Sequence, residues 1–76
     1  MDLRQVYAAN LRRFRHEKGL SQEELAHEAD VDSTYISKLE TGATYVGLEI
    51  LGKIADVLGV DPSVFLVPHK RGPRGK

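Results

Sequence analysis

Residues Ser21–Gly42 read SQEELAHEADVDSTYISKLETG, and they decide the fold. The stretch opens with Ser21-Gln22-Glu23-Glu24, a capping box. In such a box the serine hydroxyl can accept from the backbone N–H three residues on, while the glutamate reaches back to the serine N–H. A helix therefore begins at Ser21. Leu20, just ahead, can staple onto Leu25, and Leu25, Ala26 and Ala29 face inward. Ala26 is small enough for a following helix to cross closely. The helix ends near Ala29, Asp30 and Val31 make a corner, and Asp32 is a suitable N-cap for a third helix through Glu40. Ile36 and Leu39 point inward on that helix; its other face carries Ser33, Thr34, Ser37 and Lys38, with Tyr35 near the edge. Gly42 closes it. Two short helices this close bury little alone, so they either support a fold or present something outward.

On the N-terminal side, a first helix is expected over Leu3–Lys18, because Leu3, Tyr7, Leu11 and Phe14 recur at helical spacing and Gly19 stops the pattern. On the C-terminal side, a fourth helix from Gly47 to Leu58 is expected to bury Leu48, Leu51, Ile54, Ala55 and Leu58, with Gly59 as its stop. In DPSVFL, Asp61 caps a short fifth helix with Pro62 at its first position. No segment alternates with period two. The expected fold is all-α: a compact bundle of five short helices with the helix–corner–helix unit at its centre. One domain occupies residues 1–67, and a basic tail follows over 68–76.

The chain has 76 residues, enough for one small core. Without cysteine it has neither a disulfide framework nor a thiolate metal site, which fits a reducing compartment. No apolar run approaches the roughly 20 residues needed to span a bilayer, and Asp2, Arg4 and Gln5 make the start too polar for a signal peptide. A cytoplasmic protein with no membrane partner is expected. The 11 basic and 11 acidic residues cancel formally. Their distribution is uneven: through Val67 there are seven basic against eleven acidic residues, a net of −4, and the ending HKRGPRGK supplies the other four positive charges. That tail suits either phosphate contact or simple solvation. His16, His27 and His69 are too scattered for a zinc ligand set, so no metal or cofactor is expected. No phosphate loop, nucleophile elbow or HExxH motif is present, which argues against an enzyme.

Gln22, Leu25, Ala26, Val31, Ile36, Leu39, Glu40 and Gly42, with RHEKGLSQ before them and LEILGKIADVLGV after, make the chain resemble the phage-repressor-like (XRE, Cro/repressor type) helix-turn-helix family. The likeness covers roughly residues 11–66. The run TYIS after an aspartate also resembles the small controller proteins of restriction-modification systems. The resemblance implies a lambda-repressor-like DNA-binding domain: a homodimeric transcriptional regulator that reads a palindromic operator in double-stranded DNA through the major groove. By position it places Ser33, Thr34, Ser37 and Lys38 against base edges. Gln22 falls at a backbone phosphate, Tyr35 near a phosphate or a thymine methyl, and Thr41, Thr44 and Tyr45 along the sugar-phosphate backbone. It also implies an ion pair between Arg15 and Glu40 linking the first and third helices. Arg12 and Arg13 leave two places open, the solvated face of the first helix or a flanking phosphate; Arg12 is retained as a backbone contact.

Val60, Val64, Phe65, Leu66 and Val67 are more apolar surface than one small monomer can bury. The family dimerises through this end, so Val64, Leu66 and Val67 are assigned to a two-fold interface. No effector domain is expected beside the motif. No small-molecule effector is therefore expected, and contact with RNA polymerase beside a promoter would make the protein an activator.

The chain departs from the family twice. Asp30 stands where the family corner usually has glycine, and Ser33 where relatives often carry Gln or Arg. The first turn of the reading helix thus lacks a bidentate base contact, and modest discrimination per half-site is expected. The rival reading is a protein-interaction module that keeps the fold without specific DNA binding, favoured by the acidic body and the arginine-free reading helix.

Overall fold

A computed structural model describes residues 2–69; of the tail foreseen over 68–76, residues 70–76 lie outside the described residues. Four α-helices follow one another: α1 (Leu3–Lys18), α2 (Gln22–Ala29), α3 (Ser33–Thr41) and α4 (Leu48–Leu58), then a 3₁₀ helix at Pro62–Leu66. There is no strand among the described residues. The expected fifth helix is thus a 3₁₀ turn. Five residues give room for few i→i+4 bonds, and the tighter i→i+3 pattern serves such short pieces. Helix α4 begins one residue late, with Gly47 as its N-cap and no side-chain capping bond.

The other starts are set by local chemistry. Asp2, Asp32 and Asp61 accept from the backbone N–H two residues on, at 3.0, 2.8 and 2.9 Å. At Ser21 both halves of the capping box form, Glu24 N–H to Ser21 Oγ at 3.0 Å and Ser21 N–H to Glu24 Oε1 at 2.7 Å. The corner between α2 and α3 turns on Asp30, which adopts the left-handed conformation at φ 59°, ψ 48°. A side chain is strained there, though least for Asp and Asn. Asp30→Gly is accordingly expected to raise stability by about 0.5–1 kcal/mol, read from urea denaturation. An unchanged or lower midpoint would show the corner unstrained.

Helix α1 packs against α3, α4 and the 3₁₀ turn, and α2 packs against α3 and α4. Leu11, Leu25, Ile36, Ile54 and Phe65 are completely buried at the centre, and Ala26, 2% exposed, lies where α2 and α3 meet. Phe65 is the keystone: its ring stands 5.1 Å from Tyr7 and 5.4 Å, edge-on, from Phe14.

Two residues expected inside are not. Leu3 is 50% exposed and Leu48 83% exposed. Each is the first residue of its helix, and helical side chains lean toward the N-terminus. These two therefore overhang the end of the bundle, where the core stops. The third surprise is polar. Asn10 is 1% exposed, and its Nδ2 donates toward the carbonyls of Phe65, Val67 and Val64 at 2.8, 2.9 and 3.2 Å. This one amide stitches the 3₁₀ turn to α1. The signal in the sequence was an asparagine three residues after Tyr7 and four before Phe14, on the apolar stripe.

Candidate nucleic-acid interface

The polar face of α3 stays uncovered. Thr34 and Lys38 are exposed, Ser33 and Ser37 half-buried, while Ile36 and Leu39 of the same helix are fully inside. A face of hydroxyls and one ammonium, held by an apolar underside, can enter a groove without dragging core residues with it.

The base of α3 is fixed by charge. Glu40 is 3% exposed, and Arg15, 9% exposed, reaches it from α1 through Nε to Oε2 at 2.5 Å and Nη2 to Oε1 at 3.0 Å. Arg15 Nη1 also donates to the Leu20 carbonyl at 2.8 Å, tying in the segment before α2. Gln22, the first residue of α2, donates from Nε2 to Glu40 Oε1 at 3.0 Å. Arg12 donates to the Glu40 backbone carbonyl, so the residue held open for a flanking phosphate has one terminal nitrogen on the end of α3. Arg13 folds back to Asn10 Oδ1 at 3.1 Å and to Glu17. At the end of α3, Gly42 has φ 77°, and the Gln5 amide fills the place a β-carbon would take.

Burial alone would raise the Glu40 carboxyl, but the hydrogen bonds from Arg15 and Gln22, together with the Arg15 charge, hold it below the ordinary 4.5. Its folded value is thus lower than its unfolded one. The carboxylate stabilises the fold above about pH 4.5, and that contribution disappears as pH falls through the folded value. Asp2 and Asp61 are also lowered, chiefly by the backbone N–H groups of Arg4 and Ser63 that they cap. Urea midpoints are expected to be level from about pH 7 to 5 and to drop below 4.5. Glu40→Gln should start lower and show a shallower drop; an equally steep one would place the acid sensitivity elsewhere.

The loop after α3 is latched to it. The Tyr35 hydroxyl donates to the Tyr45 carbonyl at 3.3 Å and accepts from the Gly47 N–H at 3.4 Å. Of the backbone-contact candidates after Lys38, Thr41 is exposed and donates to the Lys38 carbonyl at 3.0 Å, Thr44 is half-buried, and the Tyr45 ring is 69% exposed beneath the Arg4 guanidinium.

At the end of the bundle where α1 and α4 begin, Leu3, Tyr45, Val46, Leu48 and Leu66 line one shallow groove. Leu66 is 42% and Val67 60% exposed, whereas Val64 is half-buried. Leu3 and Leu48, assigned from sequence to the core, thus join Leu66 on an outer apolar surface. Among the described residues no group of three or more His, Cys, Asp or Glu is placed to hold a metal, and no helix is long and apolar enough to cross a membrane.

Comparison with known proteins agrees with this geometry. A family model described as helix-turn-helix matches residues 11–65. A hypothetical transcription factor of Neisseria meningitidis serogroup B is 45% identical over 67 residues; the match takes in 88% of this chain, which spans only 63% of that relative's length. The control protein C.BamHI of Bacillus amyloliquefaciens is 39% identical over 66 residues, 86% of this chain and 82% of the relative. The crystal structure of the hypothetical transcription factor NHTF from Neisseria superposes with a TM-score of 0.85 at 42% identity, over 97% of this chain and 79% of that one.

Proposed function

Because the chain belongs to the helix-turn-helix family of XRE type, through a match spanning residues 11–65, we propose that it is a DNA-binding transcriptional regulator. It acts as a homodimer and inserts α3 into successive major grooves of a palindromic site. The observation that carries this reading is the polar face of α3, with Thr34 and Lys38 exposed and Ser33 and Ser37 half-exposed, on a helix whose Ile36 and Leu39 are internal. These four read base edges. Gln22, Tyr35, Thr41, Thr44, Tyr45 and Arg12 follow the backbone and set the register. The controller proteins among the relatives favour the same use.

Val64, Leu66 and Val67 form the two-fold interface; supporting this, Leu66 shares one outer groove with Leu3 and Leu48, and Val67 is exposed beside it in sequence. Exposed apolar area of this kind, collected on one end of a small domain, is what a two-fold contact buries. Two copies joined there present reading helices about 34 Å apart, one turn of duplex. Occlusion of a promoter makes such a protein a repressor, and contact with RNA polymerase beside one makes it an activator. Its chemistry is recognition alone, not catalysis, and it works in the cytoplasm without an effector ligand. The domain covers residues 1–67, with 68–76 as a basic tail.

Selection of bound duplexes from a random pool tests this. An enriched inverted repeat is expected, with Thr34→Ala relaxing the preference at one position per half-site by no more than about 3 kcal/mol. Binding should weaken steeply as salt rises. A pool that yields no motif, with salt-insensitive retention, would favour a protein-interaction module instead.

A further inference from the structure

The proposed backbone contact at Gln22 has a feature that the reading face does not: its side chain is already held in the free protein. Gln22 Nε2 lies 3.0 Å from Glu40 Oε1. A carboxylate only accepts, so the amide nitrogen, not its oxygen, must face Glu40. The carboxylate is itself immobile, being 3% exposed and gripped by two nitrogens of Arg15. An amide NH₂ has two hydrogens about 120° apart in one plane. With one committed to Glu40, the second is left for another acceptor at the start of α2, where Gln22 is half-exposed.

We infer that Glu40 is a positioning residue for DNA binding: the Arg15–Glu40 pair orients the Gln22 amide so that its free N–H meets a backbone phosphate without first losing rotamer freedom. This rests on the DNA-binding reading above. It assigns the pair a task beyond joining α1 to α3. The negative charge of Glu40 does not oppose the phosphate, because Arg15 neutralises it at contact distance. The order of the chain explains why one residue serves both ends: Glu40 sits on the last turn of α3, facing the first turn of α2, so the reading helix and its backbone anchor share a single support.

The test uses the full chain and a selected duplex carrying one neutral methylphosphonate linkage, moved along each strand in turn. Wild-type protein should lose about tenfold in affinity at one linkage per half-site, and Gln22→Ala should lose nothing further there. The double variant Arg15→Met with Glu40→Leu removes both charges together, which preserves the fold better than removing either one. It should bind the unmodified duplex about tenfold more weakly and be indifferent to that linkage. Arg15→Met with Glu40→Gln restores an acceptor oxygen for Gln22 and should recover the sensitivity.

A double variant that keeps full sensitivity to the linkage overturns the inference while leaving DNA binding intact. A wild type that enriches no duplex overturns the DNA-binding reading, and the inference with it. Should either double variant fail to fold, the wild type decides by NMR. On adding duplex, the Gln22 side-chain amide proton held by Glu40 should keep its shift and only the other should move. Equal shifts of both protons refute the positioning role.

Discussion

Phe65→Ala should remove about 3–5 kcal/mol of stability, while Leu66→Ala one residue on should change it by less than about 0.5 kcal/mol. Phe65 is fully buried between Tyr7 and Phe14, and its removal opens a cavity between α1 and the 3₁₀ turn. Buried Phe→Ala changes cost about 3–5 kcal/mol. At roughly 0.05–0.15 kcal/mol per residue, a chain of 76 residues has about 4–11 kcal/mol in all, so this loss is a large share of it. Leu66 is 42% exposed and has no such cavity to leave. Urea denaturation followed by circular dichroism would separate the two. Similar losses at both positions would mean that the 3₁₀ turn is rotated from the face described. At concentrations where the proposed dimer forms, Leu66→Ala should reveal itself instead in sedimentation, as a weaker association.

A comparable loss is expected at the base of α3. Glu40→Ala leaves the Arg15 guanidinium, 9% exposed, without its carboxylate, and breaking one side of a buried pair costs about 3–5 kcal/mol. It also removes the acceptor for Gln22, so α1, α2 and α3 lose their common tie in one substitution. Replacing both charges, with Arg15→Met and Glu40→Leu, should cost far less, since a well-packed apolar pair escapes the desolvation penalty. A thermodynamic cycle over the two singles and the double therefore predicts strong positive coupling. Additive losses would show that the two side chains are solvated independently.

Much of this architecture is legible from neighbouring residues because the physics is local. Ser21 with Glu24, and Asp32 and Asp61 with the N–H groups two residues on, need only their own segment to form. The stripes at Leu25, Ala26, Ala29 and Leu51, Ile54, Ala55, Leu58 follow from helical period alone. What escapes the sequence is distance and edge. Asn10 finds its carbonyls 54 to 57 residues away, a separation no spacing rule covers. Leu3 and Leu48 fit the apolar period but fall where the bundle ends, and period says nothing about where a core stops. Of the candidate interface, periodicity alone identifies the uncovered polar face of α3. The attachments of Gln22, Arg12 and Tyr35 to Glu40, its carbonyl and the loop after α3 depend on tertiary placement and are visible only in three dimensions.

The stitch between Asn10 and the 3₁₀ turn bears on how the protein is made. The first helix emerges early during synthesis, yet its central ring neighbour and the carbonyls that satisfy its buried amide arrive only with Val64 to Val67. Until those residues clear the ribosome, the nascent chain carries open apolar faces and an unpaired polar group where the core will be. Productive folding therefore waits for nearly the whole domain, and the growing polypeptide is most vulnerable to chaperones and proteases just before that last turn appears.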